Sequence, residues 1–112
     1  MPLYPANPAV LPSEEYTANH TLILSNARKL ISMNSGSALT LTVPTNASAP
    51  FPVGTEIGVV MSGTGQVDIA PVSGDVTINS KDAHLNLDGQ FSAASLTKTA
   101  TNTWLLVGAL IA

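Results

Sequence analysis

The sequence of 112 residues contains no cysteine. That removes a disulfide framework, a thiolate metal site and a cysteine nucleophile, and it leaves the redox compartment open. Charge is also scarce: Asp, Glu, Lys and Arg make up 10% of the chain, against about 25% in an ordinary globular domain. Four bases, Arg28, Lys29, Lys81 and Lys98, stand against seven dispersed carboxylates, so no basic stripe is present to neutralise a nucleic-acid backbone. Long apolar runs are missing too. The C-terminal "WLLVGALIA" falls far short of the roughly 20 residues that a membrane-spanning helix needs. The N-terminal "MPLYPANPAVLP" lacks the basic start and unbroken apolar segment of a signal peptide. Both ends predict a soluble protein made in the cytoplasm without cleavage. A helical period is absent as well: the best window, "SAASLTKTA", is crowded with Ser and Thr, which suit strands or caps better than helix interiors.

What is present is short alternation. In "SALTLTVP", Leu39, Leu41 and Val43 alternate with Thr40 and Thr42, which gives one buried face and one hydroxyl face at period two. "TEIGVVM", "QVDIA", "DVTIN" and "HLNLD" repeat the pattern, and "HTLIL" and "RKLISM" precede them. The last segment, "TWLLVGALI", is apolar at both parities, which predicts a central strand covered on both sides with Trp104 in the core. The expected fold is all-β: a single-domain β-sandwich or partly closed barrel of about eight short antiparallel strands. Residues 1–16 are expected to form an extended arm, because Pro2, Pro5, Pro8 and Pro12 fix φ and remove amide donors. Residues 17–112 form the β domain. Tyr4, Val10 and Leu11 are interleaved with those prolines and are the expected contacts of the arm with a partner. With 45% hydrophobic residues and so little charge, hydroxyls and amides must cover the exterior, which points to self-association or attachment to an assembly.

Motifs of chemistry fail on residue type or context. Gly63-Thr64-Gly65 follows an apolar run, but Asp68 stands where a third glycine would close the dinucleotide fingerprint, and an alternating strand follows instead of a helix. A turn from Ser62 to Gly65 between antiparallel strands accounts for both glycines through their access to positive φ. Asp82, His84 and Asp88 lie within seven residues, but a solvated polar loop gives that pattern easily, and nothing in the sequence shows the three converging on a metal or a shell to support them. Glu14 and Glu15 adjoin the arm, and no G-x-S-x-G elbow occurs. The sequons at Asn19 and Asn46 are expected to stay unmodified without a secretion route. The residues therefore predict no catalytic, cofactor-binding or metal-binding site, no cofactor, and no nucleic-acid or membrane partner.

Four segments, "FPVGT", "GTGQV", "VTINS" and "NTWLLVG", come in an order that resembles a small all-β module of tailed-bacteriophage virion proteins, and the likeness covers Thr17 to Leu110. Such modules carry no catalytic residues and usually sit near the end of longer tail or fibre chains. Here the module has its own Met1 and a proline-spaced leader, an organisation similar to that of capsid decoration (cement) proteins. The resemblance implies a non-enzymatic virion protein, made in the host cytoplasm, whose partners are further copies of itself, a trimer as the first guess, and the major capsid protein. The alternative it leaves open is a tail fibre or tail tip module that binds a host receptor or glycan through loops 44–54 and 80–90.

Overall fold

The computed structural model describes residues 12–112, and the expected arm contacts Tyr4, Val10 and Leu11 lie outside them. The fold is all-β. Among the described residues eleven strands run in the order β1 (Ser13–Tyr16), β2 (His20–Thr21), β3 (Leu30–Met33), β4 (Leu39–Val43), β5 (Glu56–Met61), β6 (Val67–Pro71), β7 (Thr77–Ser80), β8 (Asn86–Leu87), β9 (Ala93–Ala100), β10 (Thr103–Gly108) and β11 (Leu110–Ile111). Six of them form sheet A, ordered β1-β3-β5-β9-β10-β7, and five form sheet B, ordered β11-β8-β6-β4-β2. Ser13–Tyr16, expected in the arm, are the edge strand of sheet A: the Pro12 carbonyl accepts the Leu30 amide at 2.8 Å, and parallel pairing with β3 follows.

Both sheets are mixed, where antiparallel strands were expected. β1, β3 and β5 are mutually parallel in sheet A, as are β2, β4 and β6 in sheet B. The chain therefore climbs in coils, each contributing one strand to each sheet. The second and third coils repeat at a constant offset of 28 residues, from Leu30↔Gly58 through Met33↔Met61 and Leu39↔Val67 to Val43↔Pro71. β9 then returns antiparallel to β5, and β8 antiparallel to β6. Alternation alone cannot distinguish these arrangements, because period two reports which face is buried and not which neighbour is paired.

The Ser62–Gly65 turn is accordingly a corner between sheets and not a hairpin. It lies on the preceding corner, Asn34–Ala38: Ser62 N–H donates to Met33 O at 2.9 Å, Gly65 N–H to Ser35 O at 2.8 Å, and Leu39 N–H to Gln66 O at 2.8 Å. A Cβ on Gly63 would overlap Ser35 N and O, and one on Gly65 would overlap the Ser37 carbonyl. Close backbone approach, and not positive φ, requires these two glycines.

Between the sheets lies one apolar core, with Ile31, Met33, Leu41, Val43, Ile57, Val59, Val67, Ile69, Leu87, Leu96, Trp104 and Leu106 at 3% exposure or less. Trp104 is buried as expected, and its ring meets Phe51 edge-on at 5.5 Å between centroids. The first coil is different. Its inward positions Glu14, Tyr16 and His20 are in register with Ile31, Met33 and Leu41 of the second, so the core ends in polar groups. Asn26, fully buried, joins them: its Oδ1 accepts Ile23 N–H at 2.8 Å and lies 2.9 Å from His20 Nε2, while Nδ2 donates to Glu14 Oε1 at 2.7 Å and Tyr16 Oη at 3.0 Å. The Asn26 hydrogen bond, helped by Lys29, holds the Glu14 carboxyl below its ordinary pKa. The same side chain shortens the expected strand "HTLIL" to His20–Thr21, because it draws the backbone at Ile23 into a 3-10 turn over Leu24–Asn26.

The corner contact gives a direct test. Gly65→Ala should lower unfolding stability by about 2 kcal/mol or more, through overlap with backbone that cannot move aside. Gly74→Ala, with open space at its Cβ, should stay within about 0.5 kcal/mol of the parent in the same urea titration.

Candidate functional site

Among the described residues, three places combine reactive or recognition-competent groups: the buried amine of Lys98, the loop bearing His84, and the outer face of sheet A. Lys98 is 2% exposed. It occupies an inward position of β9, and its Nζ donates to Asn46 Oδ1 at 2.6 Å and to the Phe51 carbonyl at 2.8 Å. Trp104 lies beneath at 5.9 Å to the ring centroid. Burial pushes the amine below its ordinary pKa of 10.5. With both bonds directed at loop 44–54, Lys98 acts as a pin: it holds that loop against the sheet, and Asn102 Oδ1 adds a bond from Asn46 N–H at 2.8 Å.

The second place is solvated. Lys81 and Asp82 pair at 2.9 Å with side chains 91% and 61% exposed, and such a pair adds little stability. Among the described residues no group of three His, Cys, Asp or Glu could hold a metal ion. His20 and His84 lie in different environments, one in the polar end of the core and one beside Lys81. The Gly63–Gly65 corner is packed against Ser35 and Ser37, which leaves its amides no phosphate cradle.

The third place is built by register. Across sheet A the outward positions form a row Leu30–Gly58–Ser95–Val107. A second row runs Glu15–Ser32–Val60–Ala93, and a third Glu56–Thr97–Leu105–Asn79. Only Glu15 and Glu56 carry charge in these rows. Val107 is 58% exposed and Leu105 40%, so the segment expected to be covered on both faces is covered on one. Its double-parity apolar pattern was the sequence signal of this surface; which side stayed bare depends on the neighbours of β10.

Two depressions adjoin the face. One, of about 630 Å³, runs between Ala27–Arg28 and Pro52–Glu56 over a floor of Gly58 and Ser95. Sequence reasoning missed it because it joins three segments distant in the chain, the turn before β3, the entry to β5 and the middle of β9. Arg28 stands at its rim with φ 62°, its N–H bonded to Glu56 O at 2.9 Å, and Val53 projects beside it at 62% exposure. The other, of about 450 Å³, lies between the Lys81–His84 loop and Leu105–Gly108. Of the two expected binding loops, 44–54 buries Ala49 and Phe51 and leaves Val53 out. Just beyond 80–90, Phe91 stands 74% exposed at φ 70°.

No protein-family model matches the chain, and neither does any curated protein or solved structure.

Lys98 supplies a prediction with a defined sign. Its pKa is lowered on folding, so between the folded value and 10.5 the unfolded chain binds more protons and stability rises with pH. The stability difference between the parent and Lys98→Met should therefore grow as pH rises through that window. At pH 7 the variant should be less stable by about 1–3 kcal/mol, since Asn46 Oδ1 and the Phe51 carbonyl lose their donor.

Proposed function

We propose that this chain is a non-enzymatic structural protein of a phage particle, most simply a head decoration protein, that adheres through the outer face of sheet A. One observation carries the reading: three registered rows across that sheet expose Leu105 and Val107 and leave Leu30 and Val60 half-buried among Gly, Ser, Thr and Ala, with charge only at Glu15 and Glu56. A weakly charged, partly apolar surface desolvates cheaply and suits contact with protein. A fold of two opposed sheets, sandwich-like in its layering, presents such a face rigidly. The likeness of its motifs to virion modules supplies the particle, with other copies of the chain and the major capsid protein as the surfaces contacted. Many modest contacts, each repeated over a lattice, then stabilise the shell by multivalency.

A second reading, a receptor- or glycan-binding tail module, draws on Phe91. An aromatic side chain largely exposed at positive φ is strained backbone that displays a stacking surface. Micromolar binding on a glycan array, abolished by Phe91→Ala, would favour this reading over decoration; no binding is expected.

The adhesive face is tested by Leu105→Glu with Val107→Lys, outward positions where substitution leaves the core intact. The double variant should keep the parent's unfolding midpoint to within a few degrees but fail to cosediment with particles stripped of the protein. Undiminished binding would remove this face from the mechanism.

A further inference from the structure

We propose that the groove between Ala27–Arg28 and Pro52–Glu56 is the docking site of the chain's own N-terminal segment, residues 1–11. The chain enters sheet A at the same end: Pro12 O accepts Leu30 N–H at 2.8 Å, and Leu30 is in register with Gly58 on the groove floor. From β1 to β5 is two strand spacings, about 10 Å. The three residues from Ala9 to Pro12 span about 9 Å if extended, and the whole segment about 34 Å, so the groove lies within reach without any move of the body.

The chemistry of the two partners agrees. Residues 1–11 contain no Asp, Glu, Lys or Arg, and the groove walls are Ala27, Pro52, Val53 and Gly54, with Arg28 and Glu56 at the rim. Pro2, Pro5 and Pro8 each remove an amide donor that an apolar wall would leave unpaired, and their fixed φ lowers the entropy lost on docking. Val53, an apolar side chain 62% exposed, gains a cover. Gly58 gives the floor its closeness: a Cβ there would meet Leu30 Cδ1 at 3.1 Å. Docking of this kind needs no particle, so the virion reading can fail without it, and it can fail without the virion reading.

The absence of native cysteine makes the test clean. Ala9→Cys with Val53→Cys, oxidised in the full chain at low concentration, should give a monomer with one intramolecular disulfide, seen as a faster band on a non-reducing gel and by peptide mapping. Ala9→Cys with Ser73→Cys, exposed in the β6–β7 loop, should remain reduced under the same conditions. As an independent readout, deleting residues 2–11 should shift the amide resonances of Gly54, Gly58 and Ser95 and leave those of Thr40 and Asp68 in place. Absence of the 9–53 disulfide, equal trapping at 9–73, or disulfide-linked dimers as the sole product would overturn docking within one chain. Unchanged resonances after the deletion would do the same.

Discussion

The contact of one sheet-to-sheet corner on the next constrains everything else in this fold. Where Ser62–Gly65 lies on Asn34–Ala38, three backbone hydrogen bonds and the bare Cα atoms of Gly63 and Gly65 set the distance between coils. Because each corner joins a strand of sheet A to a strand of sheet B, one contact fixes the register of both sheets together. A slip of one residue would turn Ile57, Val59 and Met61 outward in one sheet and Val67 and Ile69 outward in the other. The 28-residue offset shared by the two strand pairs is the geometric expression of that coupling.

A stack of parallel coils has two ends, and the chain closes them differently. At the first coil the inward positions become Glu14, Tyr16 and His20, tied through Asn26, so the core stops in satisfied polar groups. At the third coil β9, β10 and β7 extend sheet A, while β8 and β11 extend sheet B. Trp104, Leu96 and Leu106 fill the space between them. Lys98 then fastens the loop that would otherwise leave Phe51 uncovered. With both ends closed, the outer faces of the two sheets stay bare, and the proposed adhesion uses that of sheet A, where Leu105 and Val107 are exposed.

The buried faces of β4, β5 and β6 were legible in the sequence, because alternation reads burial directly: Leu39, Leu41, Val43, Ile57, Val59, Val67 and Ile69 all point inward. Pairing was not legible. Met33 and Met61 stand at matching places in two coils, each followed six residues later by Leu39 or Val67, and comparison of those spacings would have exposed the offset. Gly63 and Gly65 were recognised as a bend, but hairpin and corner use the same residues, and only the neighbouring backbone tells them apart. The apolar outer side of β10 was visible as double parity in "TWLLVGALI", whereas the groove at Arg28 and Val53 is assembled from distant segments and left no local trace.

The reading joins a rigid two-sheet body, a weakly charged face and motifs like those of virion modules into one account of adhesion to a particle. Copy number per virion bears on it most directly, measured by quantitative mass spectrometry of purified particles against the major capsid protein as internal standard. The account predicts copies on the scale of the capsid lattice. A handful per particle, or none, would contradict it.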